Sequence, residues 1–168
     1  DKEIASARLY VSAQGIYEVS INGEKVSDDW FNPGNSEYRT EISYQTYDIT
    51  DMLNEGENAI GAQLGSGWWS GYMSYTVSNY NYYGDQPALM AKIDIEYTDG
   101  TTATYVTDDA TWQYYGDGPV VYDSFFQGER YDATKEANVE GFSSPGFEAE
   151  GLRNAAVIET REVFSDYD

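Results

Sequence analysis

Two adjacent tryptophans, Trp68 and Trp69, are the side chains best suited to contact a sugar. They lie in a loop that begins at Gly65 and ends at Gly71. An indole face can stack on the C–H face of a pyranose, and a loop at the end of a strand can expose such a face. The alternative is structural, with one indole in the core and the other against a neighbouring domain. Because adjacent residues near a strand point to opposite sides, we expect at most one platform.

A second candidate site lies in the irregular segment 72–86, which mixes tyrosines with amide and carboxylate side chains. The side chains that can contact sugar hydroxyls or an adjoining ring are Asn79, Asn81, Tyr82, Tyr83 and Asp85. Asn79, Asn81 and Asp85 also carry the oxygen atoms that Ca²⁺ prefers, although their spacing does not match an EF-hand loop. The alternative is a solvated cluster of turn-forming residues. The segment is long enough to be functional and too aromatic to be disordered.

Glu129 and Asp132 are the carboxylates most similar to the acid and base of a glycosidase, whose carboxyl groups stand roughly 5 to 9.5 Å apart. Residues three apart on a strand face opposite sides, which disfavours that geometry. The chain contains no Cys and no His. This composition excludes thiol nucleophiles, thiolate metal sites, Ser-His-Asp triads and the usual general base near neutral pH.

Charge narrows the range of partners. The 168 residues include 30 Asp plus Glu against 9 Lys plus Arg, for a net charge of −21. This charge repels phosphate backbones and anionic lipid, so neither nucleic acid nor a membrane is an expected partner. There is no apolar run of about 18 residues and no signal-peptide pattern. Because the chain starts at Asp1, we expect a fragment of a larger protein, and its compartment stays open between export and a bacterial cytoplasm.

The elements that must position these residues are mostly strands, because apolar residues recur at every second position. Ala5 to Ala13, Tyr17 to Ile21, Asn58 to Leu64 and Leu89 to Tyr97 are predicted strands, and Ala155 to Val163 is the last strand candidate. Asn22-Gly23 and Asp99-Gly100 predict hairpin turns, the second leading into a strand over 101–107. Thr50 is expected to be the N-cap of one helical turn that Gly56 ends. Trp30 and Tyr38 are expected to anchor the loop 28–41, and Trp112 to close one end of the core.

The pattern as a whole predicts one all-β domain over residues 1–168. Short strands with glycine-containing turns are typical of an antiparallel two-sheet jelly-roll sandwich of the galactose-binding-like kind, here with one short helical turn. At this length a domain buries roughly 70% of its unfolded surface, so it needs no disulfides.

An ordered series of segments resembles the N-terminal domain of bacterial α-L-rhamnosidases over roughly Ala5 to Ala155. The segments are INGEKV before a Pro-Gly loop, QTYDITDML, GSGWWSG, YYGDQPALMAKIDIEYTDG, TDDATWQ, GPVVYDSFFQGERYDA and GFSSPGF. The chain departs from that family at Ser66, where the family has an acidic residue, and near Phe142 and Leu152, where it usually has Trp.

The resemblance implies a non-catalytic accessory domain of a glycoside hydrolase. In that family the catalytic carboxylates lie in a separate (α/α)-barrel, so this chain alone is not expected to be an enzyme. Its expected partners are the other domains of the parent α-L-rhamnosidase and rhamnose-containing glycans. Some similar modules bind rhamnose through a calcium ion, which leaves a calcium-assisted carbohydrate-binding module as the first alternative. A self-sufficient glycosidase using Glu129 or Asp132 is the second.

Overall fold

Two sheets of antiparallel strands form the centre of the structure, a computed structural model that describes residues 2–75 and 79–158. The strands are β1 (Ile4–Gln14), β2 (Ile16–Ile21), β3 (Glu24–Lys25), β4 (Gln45–Asp48), β5 (Ile60–Gly65), β6 (Ala88–Tyr97), β7 (Thr102–Val106), β8 (Gln113–Tyr114), β9 (Val120–Ser124), β10 (Gly128–Tyr131) and β11 (Arg153–Asn154). In the described residues, Thr50–Met52 and Ala133–Asn138 form 3-10 helices. The all-β prediction is therefore confirmed.

The larger sheet has the strand order β4-β1-β6-β7, and the smaller one has the order β3-β2-β5. Strands β9 and β10 pair as a separate ribbon, as do β8 and β11. All pairings are antiparallel. Within the described residues, no helix is both long and apolar enough to cross a membrane.

The core lies between the two sheets and follows from alternation along β1 and β2. The buried residues of these two strands that face it are Ala7, Leu9, Val11, Ala13, Tyr17, Val19 and Ile21. Full burial of each larger aliphatic side chain contributes roughly 1.5–3 kcal/mol. Alternation in the sequence also puts Ala5 on this inward face with Ala7, and that expectation is wrong. The pairing of β1 with β6 shifts between Ile4 and Ser6, so Ile4 packs against the core and Ala5 is exposed.

Both predicted hairpin turns are confirmed. Asn22 and Gly23 have φ values of 52° and 87°, which is the left-handed conformation that a two-residue turn of this type requires. At the second turn, the Asp99 carboxylate accepts hydrogen bonds from the Thr101 backbone N–H and hydroxyl, at 2.9 and 2.6 Å. Strand β7 then runs back along β6.

The helical turn is present, but the prediction for its ends is wrong. Thr50 is the first residue inside it, and the Asp48 carboxylate accepts from both the Thr50 N–H (3.1 Å) and its hydroxyl (2.6 Å). The Thr50 oxygen in turn accepts from the Ala7 N–H at 2.9 Å, which ties the turn to β1. Extended backbone at Leu53 ends the turn before Gly56 is reached. The N-cap position belongs to Ile49, which makes no side-chain cap hydrogen bond, and the Asp48 carboxylate instead closes a turn onto Thr50 two residues later.

Two further predictions concern the loop anchors and the last strand. Tyr38 is buried as expected, whereas Trp30 is 76% exposed, so its prediction as an anchor is wrong. Trp112 packs against the core. Among the described residues the last strand is β11, which ends at Asn154, and residues 155–158 are not in a strand. The remainder of the Ala155 to Val163 candidate lies outside the described residues.

Candidate functional site

Trp69 lies in the interior and is only 3% exposed. Its indole meets the Tyr38 ring edge-on at 5.4 Å and lies parallel to the Tyr83 ring at 6.2 Å. Its Nε1 donates to the Gln86 carbonyl at 3.0 Å. Backbone at Gly84 and Gln86 therefore covers the indole, and Gly84 approaches so closely that a Cβ there would stand 2.5 Å from it. Trp69 thus has the core position of the structural alternative, and its contact with a sugar stays a prediction.

Trp68 is half-buried and packs on a different set of rings. Its indole lies 4.4 Å from the Phe125 ring and 6.4 Å from the Phe31 ring. Phe31 also contacts Phe125, at 5.1 Å, and Trp30, at 6.3 Å. We call these four residues, Trp30, Phe31, Trp68 and Phe125, the aromatic patch. Trp30, Phe31 and Phe125 remain substantially exposed.

The loop that carries Trp68 is fixed to the β9-β10 ribbon by one carboxylate. The Asp123 oxygens accept from the Ser66 N–H at 2.6 Å and from its hydroxyl at 2.8 Å. This pair of bonds positions Trp68 against Phe125, since each ring lies two residues after one of the bonded partners. Sequence reasoning proposed Trp68 but missed Phe31 and Phe125, because three segments distant in the chain form the patch.

Asn79 and Asn81 form hydrogen bonds with nearby residues of their own loop. The Asn81 side-chain oxygen accepts from the Gly71 N–H at 2.7 Å, and the Asn81 N–H donates to the Gly71 carbonyl at 2.8 Å. Asn79 donates from its amide to the Ser74 hydroxyl at 3.1 Å, while Asp85 is exposed. No group of three or more His, Cys, Asp or Glu side chains that could hold a metal occurs in residues 2–75 and 79–158. Calcium binding at Asn79, Asn81 and Asp85 stays a prediction.

The tyrosines of this segment form a second aromatic surface around Arg39. The guanidinium lies 4.4 Å from the Tyr82 ring centroid and 5.3 Å from that of Tyr83. Arg39 Nε also pairs with Glu37 at 2.9 Å, and the Tyr83 hydroxyl donates to the same carboxylate at 3.2 Å. The hydrogen bond from Arg39 lowers the pKa of Glu37, and burial raises the pKa of Tyr83. Tyr82 is half-exposed, as is Tyr80.

Glu129 and Asp132 do not share an environment suited to acid-base chemistry. Glu129 is exposed on β10. Asp132 caps the second 3-10 helix, and its carboxylate accepts from the Thr134 N–H at 3.0 Å and from the hydroxyl at 2.6 Å. The hydroxyl bond is the main cause of a lowered pKa at Asp132. A carboxyl group with a lowered pKa is a poor proton donor near neutral pH.

The whole chain was compared with known protein families. The family model described as the alpha-L-rhamnosidase N-terminal domain matches residues 2–165. The chain belongs to this family. An α-L-rhamnosidase from Streptomyces avermitilis is 40% identical over 147 residues, covering 88% of this chain and 14% of the relative. One from Formosa agariphila is 38% identical over 136 residues, again with 14% of the relative covered.

Solved structures extend this relationship to the fold. The Streptomyces avermitilis α-L-rhamnosidase complexed with L-rhamnose matches with a TM-score of 0.85 at 36% identity, covering 94% of this chain and 15% of that one. The native enzyme from Aspergillus terreus matches with a TM-score of 0.84 at 35% identity, covering 96% of this chain and 18% of that one. This rhamnosidase N-terminal domain thus spans less than a fifth of the length of these relatives.

Proposed function

We propose that this rhamnosidase N-terminal domain is a non-catalytic accessory domain that packs beside the catalytic domain of an α-L-rhamnosidase. The observation that carries the proposal is the small share of the relatives that the chain spans, 14% of the Streptomyces avermitilis enzyme. Most of such an enzyme lies outside this domain. Two carboxylates of the domain support the same conclusion, because both have structural roles. Asp132 caps a 3-10 helix, and Asp123 accepts hydrogen bonds that hold the Ser66 loop.

The decisive test separates the activity of the domain from that of the parent enzyme. We expect the isolated chain to release no aglycone from an aryl α-L-rhamnoside under conditions in which the parent enzyme does. In the parent, Glu129→Gln and Asp132→Asn should each leave kcat within about twofold, because neither group takes part in the reaction. Hydrolysis by the isolated chain that these substitutions abolish would instead establish a self-sufficient glycosidase.

A second candidate function is a calcium-assisted rhamnose-binding module. It is favoured by Tyr80 and Tyr82, which are half-exposed beside the polar side chains of Asn79 and Asp85. Titration of L-rhamnose with and without Ca²⁺, followed by tryptophan fluorescence, tests it. Tyr82→Ala should abolish a real response, whereas Tyr105→Ala, which removes a similarly exposed tyrosine from β7, should preserve it. The absence of any response at millimolar sugar would argue against this candidate.

A further inference from the structure

We propose that the aromatic patch of Trp30, Phe31, Trp68 and Phe125 is the surface through which this domain docks onto another domain of the same polypeptide. The inference rests on the proposed function, because an accessory domain needs an interface with its parent. It goes further by assigning that interface to four aromatic side chains in the connections between strands.

The patch is contiguous, which distinguishes it from scattered surface aromatics. Consecutive ring centroids lie between 4.4 and 6.4 Å apart, although the rings come from three distant segments of the chain. Trp30 is the most exposed of them, at 76%. Single exposed apolar side chains are ordinary, but a joined aromatic surface marks an interaction site. Tryptophan is also among the residues most enriched where binding energy concentrates.

The backbone holds this surface in place at the cost of local strain. Phe31 has a φ of 62°, a conformation that is unfavourable for a bulky side chain and recurs at binding surfaces. Hydrogen bonds on either side fix the segment. The Phe31 carbonyl accepts from the Gly34 N–H, and the Asn32 carbonyl accepts from the Tyr17 N–H, both at 2.9 Å. A segment ordered before binding loses little conformational entropy when it docks.

The polar groups beside the patch favour a protein surface over a sugar. Sugar sites combine an aromatic face with polar side chains that are available to hydroxyl groups. Here both Asp123 oxygens already accept from Ser66, and the Asn32 amide donates to the Tyr47 hydroxyl at 3.0 Å. Because Asp123 and Asn32 are bonded within the domain, the aromatic centre between them resembles the apolar core of a protein interface.

Charge and chain length identify the partner. Asp28 and Asp29 are exposed immediately before Trp30, on a domain with a net charge of −21. The complementary surface is therefore apolar with a rim of Lys or Arg. Relatives of this chain extend far beyond it, since it covers only 14–18% of their length. In a parent enzyme of that length, another domain of the same polypeptide is always present next to this one and is therefore the partner we propose.

Photo-crosslinking in the full-length parent enzyme tests the docking directly. We replace Trp30 with p-benzoylphenylalanine and, in a matched control, Met90, which is 66% exposed on β6. The expected result is a cross-link from position 30 to a peptide of another domain in the same polypeptide. Three results would overturn the inference: a cross-link to a second copy, a yield no higher than at position 90, or suppression of the cross-link by L-rhamnose.

A second measurement uses the natural side chains. Trp30→Ala in the parent should raise the rate at which a protease separates this domain by about tenfold, the scale of a typical interface hot spot. Met90→Ala should leave that rate unchanged. Equal rates for Trp30→Ala and the wild type would contradict docking. The proposed accessory function is tested by a different result: hydrolysis of a rhamnoside by the isolated chain would contradict that function but not the docking.

Discussion

At the scale of single residues, two tryptophans differ in their environment, one buried and one exposed. Trp69 fills the interior between Tyr38 and Tyr83, whereas Trp30 projects from the surface. The identical substitution at the two positions therefore compares a buried, hydrogen-bonded indole with an exposed one. It also tests which of the aromatic residues maintain the fold and which remain available to a partner.

We expect Trp69→Ala to lower the free energy of unfolding by about 3–5 kcal/mol, because it leaves a large cavity and an unpaired Gln86 carbonyl. Trp30→Ala should lower it by less than about 1 kcal/mol, since the side chain is mostly in water. Urea unfolding of the chain, followed by circular dichroism, gives both values. Similar losses for the two variants would contradict the assignment of Trp69 to the interior.

Buried tyrosines should make the fold sensitive to alkali. Burial raises the pKa of Tyr38 to about 12 and raises that of Tyr17 further. The unfolded value is about 10. A folded pKa above the unfolded one gives stability that is complete below pH 10 and is lost as pH rises towards 12.

The free energy of unfolding should therefore be flat between pH 7 and pH 9 and fall above pH 10. Tyr38→Phe removes one of the tyrosines whose pKa is raised by burial, so the stability lost between pH 10 and pH 12 should be smaller than in the wild type. Denaturant titrations at each pH provide the measurement. Equal losses for the two proteins would show that Tyr38 ionises as easily folded as unfolded.

At the scale of elements, the junction between β1 and β2 depends on Gly15. Its φ is 118°, and a Cβ there would stand 2.4 Å from the Gly65 carbonyl oxygen at the end of β5. Gly56 also has a positive φ, of 90°, but no atom lies within 4 Å of its Cβ position. The two glycines thus differ mainly in steric surroundings.

Gly56→Ala should lower the free energy of unfolding by about 1 kcal/mol, the usual cost of a positive φ for alanine. Gly15→Ala should cost at least about 2 kcal/mol more, because the backbone of β2 or β5 must move. Thermal or urea unfolding of both variants decides the matter. Equal destabilisation would mean that the junction relaxes without strain.

The elements with strong local signals were predictable from sequence. Alternation identified β1, β2 and β6, and the Asn-Gly and Asp-Gly pairs identified the turns that follow β2 and β6. The two-residue strands β8 and β11 have no such signal, because tertiary pairing alone defines them. The register shift near Ala5 and the turn that Asp48 closes onto Thr50 were also missed, because neither follows from residue alternation.

The candidate site was less predictable, since exposure depends on distant segments. Whether Trp69 or Trp30 faces solvent depends on which one the segment 72–86 covers, and that information is absent from the local sequence. The patch itself joins residues 30–31, 68 and 125. Family resemblance, carried by the order of many short segments, indicated the accessory role more reliably than any single residue.

At the scale of the whole molecule, the excess of acidic residues should govern the response to salt. The net charge is −21, and ion pairs such as Lys2–Asp99 and Lys92–Asp94 are solvent-exposed and contribute little. Salt shortens the Debye length to roughly 10 Å at 0.1 M and therefore screens the repulsion between carboxylates.

We expect the melting temperature of the chain to rise as NaCl increases from about 0.02 to 0.5 M, a range over which the Debye length falls several-fold. Differential scanning calorimetry provides the measurement. An equal concentration of a neutral osmolyte distinguishes screening from general exclusion effects. A melting temperature that falls with salt would mean that the ion pairs outweigh the repulsion.

The position of β1 in its sheet affects how the domain is made. β1 precedes the other strands of its sheet in the sequence, yet it lies between β4 and β6, and Ile4 pairs with Tyr97. Long-range pairing of this kind slows folding, because a large loop must close first. During translation, the edge of β1 that pairs with β6 therefore stays unpaired until β6 has left the ribosome. Chaperone protection of the nascent chain matters most in that interval, before the central sheet can form.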